Sequence, residues 1–439
     1  MSELDPVKVG VLGLGTVGSG TASILQRNAD EIARRAGRGI EITIASMRDT
    51  KKQRACDTSS ITLTEDSNKV ATDPNVDIVV ELIGGTEEAK QLVLTAIDHG
   101  KHIVTANKAL IALHGNEIFQ RAQEKGVTVA FEAAVAGGIP IIKAIREGLS
   151  GNAIQWLAGI INGTGNFILT EMRDKGRDFD DVLKEAQQLG YAEADPTFDV
   201  EGIDAAHKLT ILASIAFGVP LQFESVYTEG LTQITREDVA YSAELGYRIK
   251  HLGIAKRTSK GLELRVHPTL IPHRRLIANV DGVMNAVVVK ADALGPSLYY
   301  GAGAGAEPTG SAVVADLVDV VRALTSDPEN RVPHLAFQPG ALSDIPILSM
   351  DDVSTSYYLR IHVEDRPGVL ADVTQIFADH TISIEAIIQK EPQANISSVP
   401  IIILTHEVTE QNMNLAVAEV EKLEAVTDKI MRIRLETLS

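Results

Sequence analysis

The chain has 439 residues but only one cysteine, Cys56, and no long apolar run. A single cysteine can form neither an internal disulfide nor a thiolate zinc cluster, which is typical of proteins from a reducing compartment. The longest apolar stretch, residues 211–221, is broken by Ser214, Gly218 and Pro220. It falls well short of the roughly 20 residues that a membrane span needs. We therefore expect a cytoplasmic protein with no membrane partner.

Positive charge is also scarce. The chain carries 41 Lys and Arg residues against 59 Asp and Glu residues, a formal net charge of −18 with histidine neutral. Binding to nucleic-acid phosphates draws on lysine- and arginine-rich faces, so we expect no nucleic-acid partner. At roughly 150 residues per domain, the length corresponds to two to four domains.

The first 130 residues alternate between strand-like and helix-like segments. The predicted strands are residues 7–12, 40–46, 76–83, 101–105 and 127–131, and the predicted helices are residues 17–36, 87–99 and 116–125. Strands that alternate with helices indicate an α/β fold with a parallel sheet covered on both faces. We predict a doubly wound parallel sheet for this part of the chain.

The remaining residues divide into two further regions. Residues 136–299 mix helices with strands near 154–161, 262–268 and 283–290, which predicts an α+β domain. Four of the 16 prolines fall within residues 325–356, and we interpret this stretch as a linker. The last 83 residues follow the order βαββαβ, the ferredoxin-like arrangement. Its predicted elements are strand 358–363, helix 369–380, strand 382–390, strand 399–405, helix 412–423 and strand 430–435.

A glycine motif, Gly13-Leu14-Gly15-Thr16-Val17-Gly18, follows the first strand and opens the first helix. In this context GxGxxG is a dinucleotide fingerprint, because glycines let the backbone approach a pyrophosphate and the helix N-terminus supplies free N–H groups. The motif therefore predicts that the doubly wound sheet is of the Rossmann type.

Basic side chains follow the second strand, where an NAD-binding protein normally offers an acid to the ribose. The strand ends at Ser46 and leads to Arg48, with Lys51, Lys52 and Arg54 close behind. An arginine at this place suits a 2′-phosphate and favours NADP. The alternative is a solvated basic loop.

Two lysines are candidates for chemistry. Asp204 and Lys208 lie four residues apart and open a nearly all-apolar helix, so they share one face of a helix that we expect to be buried. A lysine there, partly desolvated and facing carboxylates, can hold a pKa suited to proton transfer. The alternative is an exposed ion pair worth about 0.3 to 0.5 kcal/mol. Lys108 follows a strand end at the edge that faces ligands in such sheets, although a surface lysine is the commoner explanation.

Taken together, these motifs resemble the homoserine dehydrogenase family, in its bacterial long form with a C-terminal ACT domain. The resemblance covers nearly the whole chain. It is carried by GLGTVG (13–18), VTANKALIA (104–112), FEAAVAGGIPII (131–142), INGTGNFILTEM (161–172), LGYAEADPTFDVEGIDAAHK (189–208) and GAGAGAEPTGSAVVAD (301–316). Gly310 stands where the family has alanine more often.

The resemblance implies NAD(P)-dependent interconversion of L-aspartate 4-semialdehyde and L-homoserine, in the biosynthesis of threonine, methionine and isoleucine. Negative charge develops on the aldehyde oxygen as hydride arrives, so a cationic group must meet that oxygen and protonate it. By resemblance Lys208 is the proton donor, Lys108 is a second lysine, and Asp204 orients Lys208 or binds the amino acid. The implied substrate-binding residues are Glu193, Asp204, Tyr191, Gly163 and Thr164.

Further ligand sites are implied by the same resemblance. The cofactor-binding residues, for NADP(H) with NAD as the alternative, are Gly13, Gly15, Thr16, Val17, Gly18, Arg48, Thr105, Lys108, Gly190 and Gly305. A monovalent cation, sodium, is implied at Glu132, Val135, Gly137 and Ile139, where the residues alone indicate only a glycine turn. L-threonine is implied as an effector at Asp365, Arg366, Gly368, Val369 and Leu370. The alternative is that the last 83 residues only join subunits.

The implied domains are a discontinuous dinucleotide-binding domain (1–135 and 300–325), a substrate-binding and dimerisation domain (136–299), a linker (326–356) and an ACT domain (357–439). The implied assembly is a homodimer or homotetramer.

Two other functions stay open. A Rossmann-plus-ACT dehydrogenase for a 2-hydroxy acid usually requires a histidine paired with a carboxylate, an arrangement that the histidines of this sequence do not suggest. A non-catalytic sensor of NADP and amino acids would not need Lys208 beside Asp204.

Overall fold

The computed structural model describes residues 5–324, 332–337, 339–390 and 398–438. Residues 325–331 and 338 of the predicted linker lie outside that description. The described residues form two compact units. The first comprises the described residues up to Leu157, those of His207–Val226 and those of Met284–Ile345, and the second comprises Ala158–Ala206, Tyr227–Val283 and the described residues from Pro346 onward. The domain boundaries derived from the sequence stay a prediction.

A six-stranded parallel sheet forms the centre of the first unit. Its strands are β1 (Val7–Leu12), β2 (Ile40–Ser46), β3 (Thr62–Thr64), β4 (Ile78–Glu81), β5 (His102–Thr105) and β6 (Val129–Ala130). The strand order is β3-β2-β1-β4-β5-β6, the Rossmann order, so that fold prediction is confirmed. All strands are parallel, and the strand order reverses between β1 and β4. Ligands bind outside the carboxyl ends of the strands at such a point. The sequence did not predict the short strand β3.

Helices follow the strands in alternation. They are α1 (Thr16–Arg27), α2 (Ala29–Ala36), α3 (Ser67–Thr72), α4 (Glu87–Asp98) and α5 (Lys108–Lys125). The prediction of one helix over 17–36 is wrong. The helix breaks at Asn28, which has φ −111° and ψ 24°, because asparagine amides compete with the backbone and favour helix ends. The helix predicted at 116–125 begins earlier, since Asn107 caps it through the Leu110 N–H.

The middle of the chain mixes helices and strands, as predicted. Its elements are α6 (Ile141–Lys143), β7 (Ile154–Ile160), α7 (Gly163–Lys175), α8 (Phe179–Gln188), α9 (Thr197–Val200), α10 (Ile203–Phe217), β8 (Tyr227–Thr228), α11 (Arg236–Glu244), β9 (Tyr247–Arg257), β10 (Leu262–Pro272), β11 (Met284–Ala291), β12 (Gly295–Ala302) and α12 (Ala306–Ala323). A π-helical turn, Ala144–Gly148, continues α6.

Helix α12 packs against α1 within the first unit. A Cβ atom on Gly20 would lie 2.1 Å from the Ala306 carbonyl oxygen, and one on Gly310 would lie 2.9 Å from the Thr21 nitrogen. The two helices can approach this closely only because both positions lack a side chain. A side chain at position 310 would therefore collide with the backbone of α1 unless the two helices moved apart.

The C-terminal region has the predicted ferredoxin-like order. Its elements are β13 (Ser354–Glu364), α13 (Val369–Asp379), β14 (Ile384–Gln389), β15 (Ser398–Thr405), β16 (Val408–Thr409), α14 (Glu410–Val420) and β17 (Met431–Leu435). The four long strands are antiparallel in the order β17-β13-β15-β14. Strand β17 also pairs in parallel with β10, so this sheet is continuous with the β9–β10 hairpin in the second unit. Among the described helices, none combines the length and apolar character that crossing a bilayer requires.

Candidate functional site

The three glycines of the fingerprint have different environments. Gly13 has a φ of +95°, and a Cβ there would lie 2.9 Å from the Leu82 carbonyl oxygen. A Cβ on Gly18 would lie 2.4 Å from the Gly13 carbonyl oxygen, whereas one on Gly15 meets nothing within 4 Å. Gly13 and Gly18 therefore serve the turn, and Gly15 keeps the space before α1 open. Gly15 is also the N-cap of α1. Because glycine has no side chain that could cap the first N–H groups, the positive end of the helix faces that space.

A cavity of about 460 Å³ opens at this helix terminus. It is lined by Gly15, Thr16, Ser19, Gly20 and Ser23 from α1, by Lys52, Gln53, Arg54 and Ala55 from the loop after β2, and by Ala306 and Glu307 from α12. Gly15 and Thr16 are thus at the cavity as predicted, and Gly305 directly precedes its α12 wall. Val17 instead packs against the hydrophobic core.

The basic residues after β2 are not equivalent. Lys52 and Arg54 line the cavity, while Arg48, the residue selected from the sequence, is exposed and not part of the cavity wall. One guanidinium nitrogen of Arg54, Nη2, lies 3.2 Å from the Asp49 carbonyl oxygen. Its buried Nε has no hydrogen-bond partner among the described residues. The cavity therefore offers cationic donors to an anionic ligand.

A buried acid that the sequence analysis missed, Glu81, stands at the carboxyl end of β4. It is 0% exposed and is the neighbour of Thr105 in the β4–β5 pairing. Thr105 Oγ1 donates to Glu81 Oε2 over 2.6 Å, and the N–H groups of Ile83 and Gly84 donate to Oε1. Burial raises the pKa of Glu81, against the effect of these hydrogen bonds. Lys108, half-buried, is the first residue of α5 beside this cluster.

The glycine turn predicted to hold a cation is buried within the first unit. Ala136 and Gly137 have φ values of 52° and 25°. Among the described residues, no hydrogen-bond donor reaches the carbonyl oxygens of Val135 and Gly137, whereas the Ile139 carbonyl accepts from the Ile141 N–H. Unpaired carbonyls in a buried turn suit a hard cation.

The carboxylate of Glu132 already has two donors. Oε1 accepts from the Ile142 N–H and Oε2 from the Lys143 N–H, at 2.9 and 2.8 Å. Its own N–H donates to Asp316 over 2.7 Å. Burial raises the pKa of Glu132 and raises the pKa of Asp316 to about 7. The side chain of Glu132 is thus occupied in capping α6.

In the second unit, Asn162 connects Asp204, a predicted substrate residue, to Asp199 and to the start of α7. Its Nδ2 donates to Asp204 Oδ2 over 3.0 Å and to Asp199 Oδ1 over 2.8 Å, while its Oδ1 accepts from the Gly165 N–H. Asp204 is only 5% exposed. Asn162 was not among the residues predicted from the sequence, although it lies in the INGTGNF segment (161–167).

The other predicted substrate residues surround the start of α7. Thr164 Oγ1 donates to the Tyr191 carbonyl oxygen over 2.6 Å, and a Cβ on Gly163 would lie 2.7 Å from the Val283 carbonyl oxygen. Tyr191 and Glu193 are exposed on the segment after α8. Gly190, a predicted cofactor residue, ends α8 with a φ of +75°.

Lys208 lies on α10, one turn after Asp204, and is half-buried. The helix continues through fully buried residues such as Leu209 and Leu212, which confirms the prediction of a buried helix.

In the C-terminal region, Asp365 and Arg366 are exposed before α13. Gly368 is the α13 N-cap with a φ of +97°, followed by buried Val369 and half-buried Leu370.

Comparison with known proteins agrees with these features. Family models described as homoserine dehydrogenase NAD binding domain, homoserine dehydrogenase and ACT domain match residues 13–132, 140–318 and 357–425. A homoserine dehydrogenase from Pseudomonas aeruginosa is 67% identical over 437 residues, which is 99% of this chain and 100% of the relative. One from Neisseria gonorrhoeae is 55% identical over 99% of this chain and 100% of the relative.

A solved structure shares the whole fold. The crystal structure of a homoserine dehydrogenase from Thiobacillus denitrificans superposes with a TM-score of 0.95 at 66% identity and covers 100% of both chains. A second, from S. aureus, gives a TM-score of 0.75 at 32% identity over 99% of this chain and 100% of that one. The chain therefore belongs to the homoserine dehydrogenase family of NAD(P)-dependent oxidoreductases.

Proposed function

We propose that this enzyme reduces L-aspartate 4-semialdehyde to L-homoserine with NADPH, reversibly, in the biosynthesis of threonine, methionine and isoleucine. The observation that carries the proposal is the open cavity at the fingerprint helix, which has Lys52 and Arg54 in its wall. A pyrophosphate fits the N-terminus of α1, and a 2′-phosphate fits the two basic side chains. We therefore propose that Lys52 and Arg54, rather than Arg48, contact the 2′-phosphate.

The proposed chemistry needs a proton donor near the aldehyde. A nicotinamide cofactor held at the N-terminus of α1 and by Lys52 and Arg54 would supply the hydride that reduces the aldehyde carbon. Lys208 then protonates the developing alkoxide, and the positive charge of Lys108 stabilises it. Half-burial supports this role for Lys208, because it holds the side chain against the protein while leaving part of it accessible to a ligand.

Carboxylates recognise the amino-acid end of the substrate. We propose that Glu193 binds the substrate ammonium, while Asp204, held by Asn162, orients Lys208. The exposure of Glu193 supports a role toward a ligand, and the burial of Asp204 supports a role toward a neighbouring side chain. Thr164 and Tyr191 form one wall of this binding site through their 2.6 Å hydrogen bond.

Two accessory ligands complete the proposal. Sodium would be held mainly by the carbonyl oxygens of Val135, Gly137 and Ile139 beside Glu132, since the first two have no donor among the described residues. L-threonine would bind at the turn before α13, where Asp365 and Arg366 are exposed.

We also propose a homo-oligomer. The exposed apolar side chains of Leu298 and Tyr300 on β12 support it.

A steady-state assay with aspartate semialdehyde and both cofactors tests the reaction. Lys208→Ala is expected to lower kcat about a hundredfold to ten-thousandfold while retaining NADPH binding. Lys184→Ala, which removes an exposed lysine on α8, is the matched control. Normal turnover by Lys208→Ala would show that another group donates the proton. A lack of activity with the unchanged protein in both directions would favour the sensor function.

A further inference from the structure

Glu81 is a buried carboxylate at the ligand edge of the Rossmann sheet that the proposed chemistry does not use. Burying a carboxylate is costly unless hydrogen bonds compensate it. Three donors do so here, from Thr105, Ile83 and Gly84, at 2.6, 3.0 and 3.2 Å. All three belong to the chain segments that follow β4 and end β5, so the carboxylate connects the ends of two neighbouring strands.

The connection continues to the start of α5. Thr105 Oγ1 accepts the Asn107 N–H over 3.0 Å while donating to Glu81, which sets the direction of the hydroxyl. Asn107 Oδ1 accepts the Leu110 N–H over 3.1 Å, and Asn107 Nδ2 donates to the Gly85 carbonyl oxygen over 2.7 Å. One continuous set of hydrogen bonds therefore holds both the loop after β4 and the first turn of α5.

We propose that Glu81 is a positioning residue that sets the turn over residues 105–108 and, through it, the place of Lys108. The inference rests on the proposed role of Lys108 in the reaction. Lys108 directly follows Asn107, so a shift of the Thr105 hydroxyl moves the backbone from which the lysine side chain starts. Small misplacements of charged groups at a reaction centre are costly because catalysis depends on geometry.

The test compares Glu81→Gln, Thr105→Val and Thr105→Ser in the full chain. Glutamine keeps the shape but cannot accept from Thr105 and the loop N–H groups at once, and we expect kcat to fall about 10- to 100-fold. The KM for NADPH should change less than about threefold. Combining Glu81→Gln with Thr105→Val should cost little more than either alone, because both break one interaction. Thr105→Ser keeps the hydroxyl and should restore most of the loss seen with valine.

Asp77→Asn is the matched control, because Asp77 precedes β4 at its other end and its carboxylate accepts the Lys8 N–H. It should keep kcat. The positioning role is overturned if the kcat of Glu81→Gln stays within about twofold of the unchanged protein. It is also overturned if Glu81→Gln loses kcat only because the variant has a lower Tm, a decrease that Asp77→Asn does not show. Lys108→Ala separates the two proposals. If Lys108→Ala turns over slowly while Glu81→Gln turns over normally, only the positioning role is overturned. If Lys108→Ala itself turns over normally, Lys108 has no part in the mechanism and the positioning role is overturned as well.

Discussion

The guanidinium of Arg360 donates to both carboxylate oxygens of Asp238, from Nε over 2.7 Å and from Nη2 over 3.0 Å. Arg360 lies on β13 of the ACT region and Asp238 on α11, both in the second unit. Asp238 is 0% exposed and Arg360 only 6%. The ACT region is thus attached to the preceding region by a desolvated, bidentate ion pair as well as by the β10–β17 pairing.

This pair should be required for stability. Arg360→Met leaves Asp238 buried without its cationic partner, and we expect the free energy of unfolding to fall by about 3 kcal/mol. Urea unfolding measures the change. Arg34→Met is the control, since Arg34 and Glu31 form an exposed pair worth about 0.5 kcal/mol or less. Equal losses in the two variants would contradict a special contribution of the buried pair.

Regulation by threonine should depend on the turn before α13. Asp365→Ala removes an exposed carboxylate at the proposed effector site, and we expect the threonine concentration for half-maximal inhibition to rise about tenfold or more. Initial-rate titration with threonine measures it, with Asp379→Ala at the other end of α13 as control. Point variants suit this test better than removal of residues 357–439, because Tyr358 and Ile433 share a core with Phe167 and Leu270. An unchanged threonine response in Asp365→Ala would exclude this turn as the effector site.

Cofactor preference should depend on the cavity wall. Lys52→Ala removes a cation that faces the proposed 2′-phosphate, so the KM for NADPH should rise about 10- to 100-fold while that for NADH changes little. Parallel assays with the two cofactors check this. Lys51→Ala, an exposed neighbour that is not part of the cavity wall, should leave the ratio of the two KM values as it is. Equal increases for both cofactors would mean that Lys52 does not recognise the 2′-phosphate.

A buried lysine in the second unit predicts a pH dependence of stability. Lys250 is 1% exposed, and burial lowers its pKa to about 8 despite its 3.2 Å ion pair with Asp281. Between that value and the ordinary lysine pKa of about 10.5, the unfolded chain binds a proton that the folded chain does not. The free energy of unfolding should therefore rise with pH from about 8 to about 10.5, relative to Lys250→Met, by on the order of 2 kcal/mol.

Chemical unfolding at pH 7, 8, 9 and 10 measures this difference. Lys260→Met, at an exposed lysine between β9 and β10, is the control and should follow the unchanged protein. If the curves of Lys250→Met and the unchanged protein stayed parallel over this range, the pKa of Lys250 would not be lowered in the folded state.

Features set by neighbouring residues could be predicted from the sequence. The strand, glycine turn and helix of the fingerprint are one local unit, and the role of Gly18 follows from the Gly13 carbonyl oxygen five residues before it. The order βαββαβ also follows from local periodicity, and the structure has that order. Where local signals conflict, as at Asn28, the predicted helix boundary was wrong.

Contacts between distant residues required the tertiary structure. Glu81 and Thr105 are 24 positions apart and meet only because β4 and β5 are adjacent in the sheet. Asn162 meets Asp204 across 42 positions. Lys52 and Arg54 line the same cavity as residues of α1, which are about 30 positions away in the sequence. The sequence by itself determined the family, the Rossmann and ACT folds and the candidate lysines, since these depend on local patterns and ordered motifs. The tertiary structure decided which polar groups share a buried contact, because strand order and helix packing, rather than neighbouring residues, bring those groups together.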